Sequence, residues 1–238
     1  MDSDDILKQL EILADPAYRE SIEYFTPQEP SERGNRWTSI GVRAPALRAF
    51  EKPLFKKLRT DEDYRTTIAF TDEAFRRRVR ELTVIGVEAL LTLKKYWSKE
   101  LLDHVRRWVP ALADWGMTDL TGGLLGEMLL RGVITLDDIL EYRDYPSVWG
   151  QRLLIVATVL PLRKGFGDFD RYLDVIASFK NRREKMIVKA VSWALREGSK
   201  SHPEKIRTFI HDYSSDLHSS VLREVENKLD KGVKTIKT

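Results

Sequence analysis

The sequence predicts an all-α fold, and three observations support this prediction. Apolar residues recur every three or four positions along most of the chain, which is the spacing of one face of an α-helix. Alternation of apolar and polar residues is scarce, and the Asn-Gly and Asp-Gly pairs that signal β-hairpin turns do not occur. Four of the nine prolines, Pro45, Pro110, Pro146 and Pro203, lie where predicted helices begin or end.

The regularity of the predicted helices increases along the chain. Five of the nine prolines fall within the first 53 residues, so residues 27–53 are predicted to form a loop with short helices. The first long apolar stripe predicts one helix over 75–93. Seven further helices are predicted by the same spacing, over residues 97–112, 135–143, 148–160, 168–179, 184–198, 202–213 and 217–229. Pro161 is expected to end or kink its helix.

Composition excludes several classes of protein. Of the 238 residues, 42% are hydrophobic and 32% are charged, and 23 are aromatic (six Trp, eight Tyr and nine Phe), which is unlike a disordered chain. The chain has no cysteine, so disulfide and thiolate chemistry are excluded. Its start carries neither the basic nor the apolar part of a signal peptide, and its longest uncharged apolar run, 153–162, is too short to span a bilayer. We expect a soluble, cytoplasmic protein without membrane contacts.

The net charge of +3 conceals a strong asymmetry along the chain. Residues 1–33 hold nine acidic against three basic side chains, a net charge of −6. Residues 180–207 hold nine basic against three acidic side chains, a net charge of +6. This distribution indicates either a basic face for a polyanion or a solvated helix surface.

A period of 37 residues organises the helices into repeats. Arg78, Trp115, Arg152 and Lys189 are each 37 residues apart and lie early in predicted helices. Paired helices repeating at about 40 residues are typical of HEAT arrays, in which neighbouring pairs stack because one pair cannot bury its apolar side alone. The sequence therefore predicts a single domain over 1–238: less regular helices in 1–60, then 37-residue repeats forming a right-handed α-solenoid. These four residues would then meet on its concave face, unless their spacing is a coincidence.

The strongest candidate for chemistry is the segment around Asp119. Asp119 follows Trp115 by four positions, so both side chains lie on one face of a helix. A carboxylate here would stabilise positive charge on a substrate or activate a water molecule, and the alternative for Asp119 is a helix cap. Glycines at 122, 123 and 126 follow, which indicates close helix packing or close approach of a ligand.

Cations accompany indoles at two further places. Lys189, Trp193 and Arg196 share a helix face, and Trp149 precedes Arg152 by three positions. Cationic side chains neutralise phosphates, and an indole stacks on a base or a sugar, so these groups favour a nucleic acid as partner. For each tryptophan the alternative is ordinary packing in the core.

Four ordered segments resemble the AlkD-type DNA alkylation repair family, whose members are HEAT-like-repeat DNA glycosylases. The segments are Gly41-Val42-Arg43-Ala44-Pro45 with Arg48, Trp115-Gly116-Met117-Thr118-Asp119 with Leu125-Gly126-Glu127, Trp149-Gly150-Gln151-Arg152, and Lys189-Ala190-Val191-Ser192-Trp193-Ala194-Leu195-Arg196-Glu197. The resemblance covers nearly the whole chain. Because all four segments occur in the order found in the family, the resemblance is more specific than a match to any single segment.

The resemblance implies excision of N3- or N7-alkylated purines, chiefly 3-methyladenine and 7-methylguanine, from double-stranded DNA. It implies that Asp119 is the catalytic carboxylate, that Trp115 and Trp193 flank the deoxyribose of the lesion, and that Arg152 holds a nearby phosphate. No metal or organic cofactor is implied, and the base is expected to stay stacked. The other predicted DNA contacts are Lys189, Arg196, Arg43, Arg48, Arg78 and Trp149. We expect a monomer.

One departure from the family pattern and two rival functions accompany this interpretation. Asp114 stands where the family often has an aromatic residue, and its carboxylate is expected either to weaken phosphate binding or to face solvent. The first rival is a HEAT-repeat protein that binds damaged or branched DNA without cutting it. The second is a scaffold for protein partners, which predicts apolar groups on the inner helices.

Overall fold

The computed structural model describes residues 2–25 and 36–235, and within these ranges the chain is helical with no β-strand. Thr38 and Val79 form an isolated bridge. The twelve α-helices of the described residues are α1 (Ser3–Glu11), α2 (Pro16–Phe25), α3 (Ala44–Phe55), α4 (Asp61–Arg77), α5 (Arg80–Thr92), α6 (Glu100–Trp108), α7 (Trp115–Leu130), α8 (Val148–Lys164), α9 (Phe169–Ala177), α10 (Lys185–Gly198), α11 (Pro203–Asp212) and α12 (Ser219–Lys231). Short 3₁₀ helices cover Lys94–Tyr96, Val109–Ala111 and Asp137–Asp144. The all-α prediction is confirmed.

Of the eight predicted helices, five agree with the structure to within about four residues, and a sixth, over 97–112, corresponds to α6 and the 3₁₀ helix that follows it. The other two predicted helices, over 75–93 and 135–143, need correction. The predicted helix over 75–93 is wrong, because the chain breaks at Arg78, which adopts a left-handed conformation with φ +55° and ends α4. Residues 137–144 form a 3₁₀ helix rather than an α-helix. Pro161 lies inside the last turn of α8, which continues to Lys164, so it does not end the helix; the alternative of a kink stays a prediction.

The described chain divides into two compact units, the first ending at Thr121 and the second beginning at Gly122. Both boundary residues lie within α7. Part of the irregular segment predicted over 27–53 lies outside the described residues; the described part has no helix over 36–43 and is helical from Ala44.

The first unit packs its acidic N-terminal helix into its core. Ile6 and Leu10 of α1 are buried against α4 and α5. The core cluster around them consists of Val42, Leu47, Phe70, Ala74, Leu82 and Ile85. Because each fully buried aliphatic side chain contributes about 1.5–3 kcal/mol, α1 is an integral part of this unit. An ion pair of 2.6 Å between Asp4 and Arg77 reinforces the contact between α1 and α4.

Helix α4 begins at a capping signal that is visible in the sequence. The Thr60 hydroxyl accepts a hydrogen bond from the backbone N–H of Asp63 at 3.1 Å, and the Asp63 carboxylate accepts one from the Thr60 N–H at 2.8 Å. This reciprocal pair satisfies two of the donors that a helix N-terminus leaves unpaired.

The second unit is organised around α8, which packs against α9, α10 and the 3₁₀ helix Asp137–Asp144. Helix α12 covers the other side of α10. Glycines of α7 allow close contact with α8: a Cβ at position 122 would lie 2.7 Å from Val156 Cγ1, and one at position 126 would lie 3.0 Å from the Ala157 carbonyl. Pro161 cannot donate to that carbonyl, as an ordinary residue would in a helix. The prediction of close packing is therefore confirmed for Gly122 and Gly126.

The 37-residue register is not kept by all four residues that suggested it. Arg152 and Lys189 are each the fifth residue of their helices, α8 and α10. Trp115 is the first residue of α7, and Arg78 precedes α5 altogether. The expectation that all four occupy equivalent positions is wrong, because the starts of α5, α7, α8 and α10 are 35, 33 and 37 residues apart. The fifth residue of α7 is Asp119.

Within the described ranges, no helix combines the length and the apolar character that crossing a bilayer requires.

Candidate functional site

The candidate site in the first unit is the N-terminal part of α7, and Asp114 fixes where this helix begins. The Asp114 carboxylate accepts a hydrogen bond from the backbone N–H of Met117 at 3.1 Å, and its carbonyl accepts one from the Thr118 hydroxyl at 2.7 Å. This is the geometry of an N-cap. Asp114, and not Asp119, therefore caps α7, and the cap interpretation of Asp119 is wrong.

Arg80 anchors this cap from the start of α5. Its guanidinium donates two hydrogen bonds to the Asp114 carboxylate, at 2.7 and 3.2 Å. Asp114 is fully buried, and the Arg80 side chain is 9% exposed. The expectation that Asp114 faces solvent or opposes a phosphate is wrong, because Arg80 neutralises it inside the unit. Sequence reasoning missed this pair. The adjacent charged residues Arg80 and Glu81, at the start of a largely apolar helix, were a usable signal.

Trp115 and Asp119 follow directly on this fixed turn. The Trp115 side chain is 39% exposed, in contrast to the buried Met117 and Thr118 beside it. Asp119 lies one turn further along the helix and is partly exposed. Because side chains at i and i+4 share a helix face, an accessible indole and an accessible carboxylate stand next to each other. This arrangement offers a flat surface for a ring and a negative charge beside it.

The segment that contains the first motif, Gly41 to Pro45, is held in place by a second buried acidic residue, Glu81. Glu81 is buried, and its carboxylate accepts hydrogen bonds from the Ser39 hydroxyl at 2.6 Å and from the backbone N–H groups of Ile40, Gly41 and Val42 at 2.9–3.3 Å. Gly41 has φ +92°, and a Cβ there would lie 2.7 Å from the Asp15 carbonyl. Only glycine fits this position without strain.

The two arginines of that motif have different surroundings. Arg43 binds Asp15 at 2.7 Å and lies over the Tyr18 ring, 4.9 Å from its centre. Hydrogen bonds from the Tyr18 backbone and from Arg43 hold the pKa of Asp15 below its usual value. Arg48 is exposed on α3 and lines a cavity of about 420 Å³.

Arg78, at the junction of α4 and α5, is buried and lines a cavity of about 320 Å³. Arg76 and Arg107 line the same cavity, and Phe75 stacks on Trp108 beneath them with 4.6 Å between ring centres. The DNA contact predicted for Arg78 stays a prediction.

In the second unit, two of the predicted contact residues lie mainly inside. Trp149 is 2% exposed and packs in the core, which favours the alternative of ordinary packing; its predicted DNA contact stays a prediction. Arg152 is 5% exposed, and its guanidinium donates to the Met186 carbonyl at 2.5 Å. Arg152 thus ties α8 to the start of α10. Its predicted phosphate contact stays a prediction.

The three predicted residues of α10 also differ from one another. Lys189 is exposed, whereas Trp193 and Arg196 are partly buried. The Arg196 guanidinium donates to the Ser192 hydroxyl at 3.2 Å and lies 3.7 Å from Glu224 of α12. Its charge is therefore matched within the unit, which weakens its case as a phosphate contact.

Trp193 lines an apolar cavity of about 240 Å³ in the second unit. Val156, Val159 and Leu160 of α8 form one wall, and Gly123 of α7 opens onto the same space. A Cβ at Gly123 would meet nothing within 4 Å, so helix packing does not require this glycine. Close approach of a ligand remains the open explanation for Gly123.

Comparisons with known proteins point in one direction. The sequence profile of a family described as "DNA alkylation repair enzyme" matches residues 6–229. A solved structure described as "Predicted DNA alkylation repair enzyme from Enterococcus faecalis" superimposes with a TM-score of 0.73. It is 21% identical in sequence, and the match covers 92% of this chain and 97% of that one. The likeness shows that the two chains share a fold. No curated protein matches the chain.

Proposed function

Because the chain belongs to the family of DNA alkylation repair enzymes, we propose that it is a DNA glycosylase. Its proposed substrates are N3- and N7-alkylated purines, such as 3-methyladenine and 7-methylguanine, in double-stranded DNA. Its proposed reaction is hydrolysis of the N-glycosidic bond, the first step of base excision repair. The observation that carries the proposal is the pair formed by the exposed Trp115 and the neighbouring Asp119 on a rigidly capped helix.

The chemistry of the lesion matches what this pair offers. Alkylation at N3 or N7 gives the purine a positive charge, so the base leaves readily. The bond from C1′ to N9 breaks, its electron pair goes to the base, and positive charge develops on the deoxyribose. The Asp119 carboxylate would stabilise this charge and orient a water molecule, which adds to C1′ and releases a proton. The Trp115 indole would lie against the sugar.

The buried Arg80–Asp114 pair gives this proposal its geometric basis. A catalytic carboxylate acts only when it is held close to its productive position, so the turn that carries it must be fixed. The cap at Asp114 fixes the first turn of α7, and Asp119 lies on the next. In the second unit, exposed Lys189 is proposed to contact the DNA backbone. Trp193 is proposed as a further DNA contact.

The test is release of 7-methylguanine from a methylated duplex, followed by chromatography of the free base. We expect release by the wild-type protein and a fall of at least about 10²-fold in Asp119→Asn, because a positioned carboxylate contributes a factor of 10²–10⁴. Asp103→Asn removes an exposed carboxylate of α6 and is the matched control. Normal release by Asp119→Asn would overturn the role of Asp119.

A DNA-binding protein without catalytic activity is the second candidate, as the exposed cations also suit a polyanion. It predicts salt-sensitive binding of damaged or branched DNA with no base release by the wild-type protein. An accessible carboxylate next to Trp115 favours the glycosylase, since a phosphate-binding surface gains nothing from a negative charge. A scaffold for protein partners would bind neither the methylated duplex nor damaged or branched DNA.

A further inference from the structure

Helix α3 and the turn after it carry a row of cations on one face. Arg48, Lys52 and Lys56 are spaced by four residues, so they follow one another along the helix. Arg59 extends the row, and all four line the cavity of about 420 Å³. We call these four residues the α3 surface.

The cations of the α3 surface differ from other exposed arginines of the first unit. Arg65 pairs with Asp61 at 2.7 Å, and Arg76 pairs with Glu73 at 2.6 Å. In contrast, Arg48, Lys52 and Lys56 form no ion pair with any carboxylate in the part of the chain that the structure describes. None of the three is therefore held in a short-range ion pair among the described residues.

The floor of the same cavity is a pair of glutamic acids. Glu51 of α3 is 2% exposed, and its Oε1 has no hydrogen-bond partner. Glu88 of α5 is partly exposed and lines the same cavity as Glu51. Burial, followed by the charge of Glu88, raises the pKa of Glu51 to about 8. Two carboxyl groups thus line the same cavity as four cationic side chains.

We propose that the α3 surface is a docking surface for the phosphate backbone of DNA, distinct from the Trp115–Asp119 pair. The choice of DNA as the polyanion rests on the proposed function. From Arg48 to Lys56 the helix rises about 12 Å, along which one DNA strand presents three to four phosphates, roughly one per 3.4 Å. Three cations without an ion pair over this length are comparable in number to the phosphates that one strand carries over the same length of duplex axis.

The buried acid couples this docking to a proton. Arg48 lowers the pKa of Glu51 from the side of α3, and Glu88 raises it from α5; Lys52, Lys56 and Arg59 face the same cavity. A bound phosphate offsets these positive charges, so it favours the protonated form of Glu51. As pH rises through about 8, Glu51 ionises and its charge repels the phosphate. DNA binding therefore weakens above pH 8.

The experiment measures the affinity for an undamaged duplex by fluorescence anisotropy across a series of salt concentrations. Each phosphate contact that is lost reduces the slope of log K against log salt by about 0.9. We expect Lys52→Gln and Lys56→Gln each to weaken binding about three-fold and to reduce this slope by about one unit. Lys57→Gln is the matched control, because Lys57 is exposed beside Lys56 but does not line the cavity.

The effect of Glu51 protonation on DNA binding is tested with Glu51→Gln, whose side chain is neutral at every pH. The wild-type protein should lose affinity between pH 7 and pH 9, and Glu51→Gln should lose clearly less. If Lys52→Gln and Lys56→Gln bind the duplex as Lys57→Gln does, the proposal is overturned, even where base release shows the glycosylase to be active. If the slopes change as expected and no base is released, the docking surface stands and the glycosylase fails.

An anionic lipid surface is the other polyanion that these cations fit. Vesicles of phosphatidylserine and phosphatidylcholine provide this arm of the test. Loss of vesicle binding in Lys52→Gln and Lys56→Gln, with DNA binding unchanged, would overturn the proposal in favour of a membrane surface. Unchanged vesicle binding with weakened DNA binding would support it.

Discussion

The two units of the molecule treat charge in opposite ways. The first unit buries it: Arg80 and Asp114 form an enclosed pair, and Glu81 is enclosed by four donors. The second unit matches charge at its surface, as in the pairs Lys200–Glu197 and Lys205–Asp170. A buried charge holds local geometry because breaking its contacts is costly, whereas a surface pair contributes little. The comparison indicates that buried charge fixes the geometry around the candidate site in the first unit, whereas the ion pairs of the second unit lie mainly at its surface and Arg152 is its buried exception.

The comparison also separates two basic regions that look alike in composition. The run 180–207 has a net charge of +6, yet six of its nine cations lie within 4 Å of a carboxylate. The α3 surface is shorter and less conspicuous in the sequence, but none of its four cations has such a partner among the described residues, whereas only three of the nine in the run 180–207 lack one. Unmatched charge, rather than the density of basic residues, decides where a polyanion gains most.

The sharpest test of this comparison breaks one pair in each unit. Asp114→Ala leaves the Arg80 guanidinium buried without its partner, so we expect a loss of about 3–5 kcal/mol in the free energy of unfolding. Asp170→Asn removes the exposed partner of Lys205 and should cost at most about 1 kcal/mol. Urea denaturation followed by circular dichroism measures both. Equal losses would refute the contrast between the units.

A double variant separates the role of charge in the Arg80–Asp114 pair from the role of packing at the same place. Arg80→Met with Asp114→Leu replaces the pair by apolar side chains of similar volume and should recover much of the stability. It removes the cap of α7, so we expect base release to stay below that of the wild-type protein. Full recovery of both properties would show that the ion pair has no part in positioning Asp119.

The raised pKa of Glu51 predicts that the free energy of unfolding of the first unit depends on pH. Its pKa is raised from 4.5 to about 8 on folding, so the native state binds this proton more tightly than the unfolded chain. Stability from this group is complete below pH 4.5 and is lost as pH rises towards 8, at about 1.4 kcal/mol per unit. Over the 2.5 units from pH 4.5 to pH 7 this amounts to about 3.5 kcal/mol, so we expect Glu51→Gln to be more stable than the wild-type protein by up to about that amount at pH 7.

The measurement is the difference in unfolding free energy between Glu51→Gln and the wild-type protein at pH 5, 7 and 9. The difference should grow from pH 5 to pH 8 and then level off. Glu62→Gln, at an exposed position of α4, provides the control. A difference that does not change with pH would contradict the protonated state of Glu51.

Packing in the second unit is tested at two neighbouring glycines. Gly122→Ala places a Cβ 2.7 Å from Val156 Cγ1, so we expect a loss of about 1–3 kcal/mol. Gly123→Ala meets nothing within 4 Å and removes backbone freedom, so it should gain about 0.5–1 kcal/mol. Thermal unfolding of both variants measures the contrast. A destabilised Gly123→Ala would show that the cavity beside Trp193 is closed.

Helical periodicity predicted most of the fold, because apolar spacing reflects burial directly. It placed α9 to α12 within about two residues. The helix predicted over 75–93 joined the last turn of α4 to α5, since the apolar spacing continues through Arg78 while the backbone does not, and most of α4 was not predicted. The 37-residue period was exact in sequence, yet it related equivalent positions only for Arg152 and Lys189, because the connections differ in length.

The candidate site was only partly predictable. The motif around Trp115 and Asp119 identified the helix, and their spacing predicted the shared face. What the sequence could not reveal was exposure: Trp115 and Trp149 have the same side chain, but the first is accessible and the second is buried. The sequence also does not reveal ion pairs between residues that are far apart along the chain, such as Arg80 and Asp114, which are 34 residues apart.

The smallest expected effect concerns two lysines of the basic run 180–207. Lys189 is exposed and makes no ion pair with any described carboxylate, whereas Lys205 binds Asp170 at 2.7 Å. If unmatched charge is what a polyanion senses, Lys189→Gln should weaken binding of a duplex about two- to three-fold and reduce the salt slope by about one unit. Lys205→Gln should change both quantities much less, although it removes the same formal charge, because Asp170 already offsets that charge at short range. Anisotropy titrations of the two variants at several salt concentrations decide the matter. Equal effects would mean that total charge, and not pairing, governs how this protein meets DNA.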